Sequence, residues 1–230
     1  SYTGHTFSWV AKGGTILGAS TNQTVRVLWT RTGSDTLLAT VTNAGGCSAT
    51  GRITLNVNPL PTPVITGVNN PCAGISINYS VPTNTGRTYQ WRPSARGSII
   101  GSNTANNVNI RWTNTGSTST TGDTILMREI ITSTGCSKDT FMLISINPVP
   151  TPTITGVNTT CSGQTQSYSV PSNTGRTYQW SVTSRGVIQG STTGTTATVL
   201  WTNSSGTTTT NDSIRIRETF TTGGCYKDTT

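Results

Sequence analysis

The sequence predicts an all-β protein: tandem seven-strand β-sandwiches arranged as a rod. Three observations carry this. First, landmarks recur without slippage: 89 residues separate Cys72 from Cys161, Tyr79 from Tyr168, Trp91 from Trp180, Trp112 from Trp201 and Cys136 from Cys225. A fixed period marks a tandem array, and this one is too long for a solenoid unit but suits a small sandwich. Second, short apolar runs alternate with period two, and no helical i, i+3, i+4, i+7 pattern is sustained. Third, threonine is the commonest residue, and 25 glycines and 10 prolines accompany it. Threonine favours strands, while glycine and proline mark reversals.

The copies are bounded at 1–58, 59–148 and 149–230. The middle copy is complete. The first begins near its third strand, with Trp9, Trp29 and Cys47 in the places of Trp91, Trp112 and Cys136. It is shorter because the loop SGTTTTND (205–212) shrinks to GSD (33–35), a change a loop absorbs and a strand does not. The third stops before its last strand. The chain reads as a window on a longer array.

The strands of the middle copy follow from alternation. PVITG (63–67) opens it. ISINYSV (75–81) puts Ile75, Ile77, Tyr79 and Val81 on one face. TYQW (88–91) turns Tyr89 and Trp91 inward, and SIIG (98–101) is short. NVNIRW (107–112) points Val108, Ile110 and Trp112 one way and Asn107, Asn109 and Arg111 the other. TILMREII (124–131) buries Ile125, Met127 and Ile131, and FMLISIN (141–147) buries Met142, Ile144 and Ile146. An immunoglobulin-like sandwich has this strand count and a core Trp on its third strand, where Trp91 falls. NPLPTP (58–63) and NPVPTP (147–152) are linkers that proline stiffens.

The shared pattern is C-x-G-x(4)-YSV-P, then G-x-TYQW, I-x-G, V-x-I-x-W, GC and P-x-P-x-ITG. It resembles the PKD-like and Ig-like repeats of very large secreted surface proteins of Bacteroidota that use type IX secretion. The resemblance covers the whole chain. It implies export to the cell surface as an adhesin stalk, a matrix component or a spacer beside an enzyme. DTL (35–37), DTI (123–125), DSI (212–214) and DTT (228–230) resemble the O-glycosylation signal of the same bacteria. That implies glycans on Thr36, Thr124, Ser213 and Thr229; DTF (139–141) departs at its third place.

Five cysteines fall at two places in the repeat: Cys72 and Cys161 before the second strand, Cys47, Cys136 and Cys225 after the sixth. An exported array holds such cysteines as disulfides. In a sandwich of alternating strand directions these two places lie at opposite ends. A seven-residue strand spans roughly 23 Å, whereas a disulfide tolerates about 4.4–6.8 Å between Cα atoms. Head-to-tail packing brings Cys72 to Cys225, an inter-repeat staple. Intra-repeat pairs, Cys72–Cys136 and Cys161–Cys225, remain the alternative if loops fold back.

No catalytic constellation is expected. His5 is the one histidine, and it has no companion ligand. The seven acids recur with the period as Asp35/Asp123/Asp212, Asp139/Asp228 and Glu129/Glu218. They therefore belong to the repeat rather than to one carboxylate pair in a cleft. No calcium loop or other cofactor site is visible. Glu129 and Glu218 fall on inward phases and need partners, an arginine before an isopeptide bond to Lys138 or Lys227. Alternating Trp and Tyr residues read as core before sugar platforms.

The formal charge of +8, with Arg87, Arg176, Arg96, Arg185, Arg215 and Arg217 recurring or outward, allows a basic stripe for anionic polysaccharide. No nucleic-acid motif accompanies it, and no apolar run reaches membrane-spanning length. The reading is a structural and interaction protein: part of an extracellular stalk, fibre or adhesin shaft. Its partners are further copies of the repeat, including in a homopolymeric fibre. The alternatives are a carbohydrate-binding array or the non-catalytic tail of a secreted hydrolase.

Overall fold

The computed structural model describes residues 3–230; residues 1 and 2 of the first copy lie outside the described residues. Seventeen strands and no helix are found among them. The chain divides into two compact units. One holds the residues up to 62 with segments 85–87 and 129–138, the other the remainder.

In the first copy, β1 (Thr6–Lys12), β4 (Gly33–Thr42) and β5 (Ser48–Val57) form one antiparallel sheet, and β2 (Gly14–Leu17) pairs with β3 (Arg26–Trp29). In the middle copy the strands are β6 (Ser76–Ser80), β7 (Arg87–Pro93), β8 (Gly97–Ile100), β9 (Asn107–Trp112), β10 (Asp123–Ile131) and β11 (Ser137–Ile144). They form two sheets, ordered β6-β9-β8 and β11-β10-β7. The third copy repeats the plan with β12 (Thr165–Ser169), β13 (Arg176–Val182), β14 (Gly186–Ile188), β15 (Thr196–Trp201), β16 (Ile214–Phe220) and β17 (Tyr226–Thr229). Its sheets are β12-β15-β14 and β13-β16-β17. This is the strand exchange of an immunoglobulin-like sandwich: consecutive strands split between two sheets, each buried on one face.

The core follows the alternation. Tyr79, Trp91, Val108, Ile110, Trp112, Ile125, Met127, Ile144 and Ile146 are buried together in the middle copy. Tyr168, Trp180, Val199, Trp201 and Ile216 are buried in the third. Burying a Trp requires a partner for its indole N–H. Trp9, Trp91 and Trp180 donate to the main-chain oxygens of Asn22, Ala105 and Gly194 at 2.8–2.9 Å, the same bond in all three copies. The Trp91 and Trp180 rings are core, 1% exposed each, whereas Trp9 is half-buried.

Four expectations need correction. Ile75 is 51% exposed, because the strand it was assigned to begins one residue later at Ser76. Ile131 is half-buried at the end of β10. The opening segment 63–67 makes a single bridge, Thr66 to Ser80, rather than a strand; proline at 61 and 63 removes donors a ladder needs. The last strand spans 137–144, starting directly after the cysteine turn, so the third copy carries its first half as β17.

The Tyr79 hydroxyl accepts from Trp112 Nε1 at 3.0 Å and donates to Val68 O at 2.8 Å, and burial pushes its phenol up. Gly67 lies against this ring at φ 149°, and a methyl there would overlap it. Because both hydroxyl bonds hold the ring, Gly67→Ala is expected to destabilise the middle copy by about 1–3 kcal/mol. Denaturant unfolding followed by Trp fluorescence measures this; a loss below a few tenths of a kcal/mol would show that the ring yields.

Candidate functional site

The repeated phrase SYSVPSNTGRTYQW is a self-fastening loop. Tyr178 on β13 donates its hydroxyl to Pro171 O at 3.2 Å and accepts from the Asn173 N–H at 2.9 Å. The Asn173 amide and the Arg176 guanidinium then reach the buried carboxylate of Glu218 at 3.3 and 3.4 Å. Register explains why: Tyr178 lies opposite Glu218 and Arg176 opposite Phe220, whose ring the guanidinium covers at 3.3 Å. In the middle copy Tyr89 makes the same loop bonds and Arg87 faces Glu129 at 3.8 Å. Lys227 is the cross-strand neighbour of Glu218 but is exposed.

The recurring aspartates are fasteners too. Asp123 accepts from Ser94 Oγ at 2.8 Å, Thr120 Oγ1 at 3.0 Å and Arg96 at 3.4 Å. Asp212 accepts from Thr183, Thr209 and Arg185 in the same geometry. The Thr209 hydroxyl is the main cause holding its carboxyl below the usual range. Asp35, whose loop is shortened, takes Arg31 at 2.7 Å instead. Beside these aspartates Thr36 and Thr124 are half-buried and Ser213 is exposed; Thr229 is half-buried on β17.

Arg87, Arg176, Arg96 and Arg185 each face a carboxylate; Arg87 and Arg176 are largely covered, whereas Arg96 and Arg185 keep about half of their side chains exposed. The outward Arg215 and Arg217 share Asp228. Those two guanidiniums hold the Asp228 carboxyl well below its ordinary range. A carboxyl depressed on folding contributes stability above its unfolded value near 3.9, lost as pH falls through the folded value. The Asp228→Asn variant is therefore expected to lose about 0–1 kcal/mol at neutral pH, as exposed pairs do. It should approach the parent as the pH falls below 3. Urea midpoints at pH 7 and pH 2.5 measure this, and an equal loss at both values would rule the ion pair out as the cause.

A further polar cluster lies where the middle repeat meets the third. Cys72 is bonded to Cys225 across 153 residues of sequence, with Cα atoms 5.6 Å apart. Cys136, Cys161 and Cys47 are free thiols, so neither intra-repeat pair forms. Beside Cys72 lies Asn147, only 7% exposed. Its N–H donates to Pro71 O at 2.8 Å, and its carbonyl accepts from the Ala73 N–H at 2.9 Å. Its amide donates to Asn70 O at 3.0 Å and accepts from Ser119 Oγ at 2.7 Å.

Gly223 of the following repeat rests on this amide: a Cβ there would stand 2.8 Å from Asn147 Nδ2. Gly223 and Gly224 both take positive φ, at 80° and 66°, the left-handed backbone that glycine adopts most readily, just before Cys225. The sequence places Asn147 both at the end of the strand 141–147 and at the start of the linker 147–152, whereas the strand ends at Ile144. The recurrence of Asn-Pro at 58–59 and 147–148 was the available signal. The linker itself is packed, with Pro148, Pro150 and Pro152 all buried.

Fold and clasp together define an all-β protein of immunoglobulin-like sandwiches, two of them joined by a disulfide. Residues 147–217 match the family model of a PKD-like domain. Similar solved structures include the protocadherin gamma B2 extracellular cadherin domains 3–6, at 8% identity and TM-score 0.27 over 96% of this chain and 64% of that one. The Bacteroides ovatus SGBP-B of a mixed-linkage glucan utilization locus, in complex with a mixed-linkage heptasaccharide, is 13% identical with TM-score 0.23 over 97% and 56%. The ICAM-5 D1–D4 ectodomain fragment is 10% identical with TM-score 0.39 over 100% and 67%. The chain spans less than two thirds of the first two. No curated protein matches the sequence. Among the described residues no group of side chains suited to hold a metal ion occurs, and there is no helix long and apolar enough to cross a membrane.

Proposed function

We propose that the chain is a segment of an extracellular structural array, a stalk, fibre or adhesin shaft whose repeats are covalently clasped to their neighbours. The observation that carries this is the Cys72–Cys225 bond between consecutive sandwiches. A disulfide of this kind persists in oxidising compartments and is rare in the cytosol. The match to a PKD-like domain supports the same reading. Load then passes from repeat to repeat through the bond as well as through the proline linker. Further copies of the repeat are the partners, and Ser213, the exposed hydroxyl of its set, is the foremost glycan site. The test is peptide mapping without reduction of the protein recovered from the surface of its native cells. A linked Cys72–Cys225 peptide in surface-exposed material is expected. Protein found only inside the cell, with both thiols reduced, would overturn the reading.

A further inference from the structure

We propose that the outward face of the sheet β13-β16-β17 binds an acidic polysaccharide, with the Arg215 guanidinium gripping one of its carboxylates. A cavity of about 200 Å³ opens on this face between Gln179, Ser181, Arg215, Arg217 and Asp228. It is smaller than the roughly 300–1,000 Å³ that a drug-sized molecule fills. That size suits one charged group of a polymer lying across the sheet. The site stands whether or not the chain is part of a stalk.

Register sets the pocket. On β13, Gln179 stands opposite Arg217 and Ser181 opposite Arg215; on β17, Asp228 stands opposite Arg217. Arg217 is engaged twice over. Its Nε and Nη2 donate to the two Asp228 oxygens at 2.8 and 2.9 Å, and its guanidinium lies 4.2 Å from the centre of the Tyr226 ring. Arg215 gives the same carboxylate one bond, from Nη2. A guanidinium presents its N–H donors as a fork that matches a carboxylate. Most of the Arg215 fork therefore stays open, with 46% of the side chain exposed. Two cations share one anion here, whereas Arg87, Arg96, Arg176 and Arg185 each have a carboxylate of their own.

The middle repeat shows that the fold does not need Arg215 to satisfy the aspartate. There Arg128 grips Asp139 in the same two-pronged way, at 2.6 and 2.8 Å, and Leu126 stands in the place of Arg215. Ser181 takes the place of Arg92, and Tyr226 that of Ser137. The third repeat thus moves a cation from the edge strand to the central strand of its sheet, beside a short hydroxyl rather than a long side chain. It also adds an aromatic ring, 52% exposed, next to Arg217. A charge-assisted fork holds a carboxylate. The Ser181 hydroxyl and Gln179 amide offer the neutral hydrogen bonds that sugar hydroxyls use, and the Tyr226 ring offers an apolar surface for the C–H groups of a pyranose.

The test is calorimetric titration of the full chain at low salt with an oligomer of galacturonic acid, beside a neutral dextran and a polyglutamate of equal charge. The galacturonate oligomer is expected to bind, and the dextran not to. Arg215→Leu installs the middle repeat's residue and is expected to leave the melting midpoint unchanged while weakening binding by roughly tenfold, the worth of one hydrogen bond to a charged group. Arg111→Ser removes an exposed arginine from β9 and is expected to change the affinity by less than about twofold, since a distant charge acts only through the screened general field. Equal losses in the two variants would overturn the proposal, because the attraction would then be diffuse charge. So would no binding of the galacturonate oligomer, or equal binding of polyglutamate or dextran, because the pocket would then not read a charged sugar.

Discussion

Stretched between its ends in oxidising buffer, the chain is expected to withhold most of the length of two repeats. The Cys72–Cys225 bond closes a loop of 153 residues, and force applied beyond the two cysteines passes through sulfur rather than through that loop. At about 3.3–3.6 Å per extended residue, the sequestered contour is roughly 500 Å. Single-molecule pulling of the native chain should show unfolding without this length. Adding a reductant under load, or making Cys72→Ser, should release it. The same bond constrains the unfolded state by roughly 5 kcal/mol for a loop this long in the chain-entropy account. Full extension of the oxidised parent chain would show that the clasp is not closed in solution.

Arg176→Ala is expected to be the most damaging surface-accessible substitution in the third repeat, costing about 3–5 kcal/mol. Glu218 is 2% exposed, and its salt-bridge partner is Arg176, whose side chain is 13% exposed. Truncation leaves a buried carboxylate with the Asn173 amide alone and uncovers the Phe220 ring. Removing one member of a buried pair strands the other, whereas replacing both with apolar groups of similar volume is often neutral. The double variant Arg176→Met with Glu218→Leu should therefore recover most of the loss. Guanidinium unfolding of the parent, the single and the double variants forms the comparison. A single-variant loss below about 1 kcal/mol, typical of exposed pairs, would mean that water reaches the carboxylate.

The sandwich plan is legible in the sequence because sheet burial has period two, so Val108, Ile110 and Trp112 declare their face without any partner. Strand direction likewise separates Cys72 from Cys136 and directs attention to Cys225. That Glu129 and Glu218 need arginine partners was legible from their inward phase; which arginines was not. Arg176 and Glu218 are 42 residues apart in sequence, and only the pairing of β13 with β16 turns a loop-edge cation into a buried partner. Asn147 was hidden by its neighbour: Asn-Pro reads as a turn, and nothing local says that its four hydrogen-bonding groups all find partners in the middle repeat. Ile75 misled because alternation fixes phase but not where a strand begins.

The clasp also imposes an order in time. A cysteine whose partner sits in the next repeat cannot close when its own sandwich folds. Cys72 waits until the hairpin holding Cys225, made 153 residues later, has formed and settled on Asn147. Oxidation of one repeat thus reports that its successor is correctly built. A Cys72 thiol left open is a chemical flag that this junction has not closed.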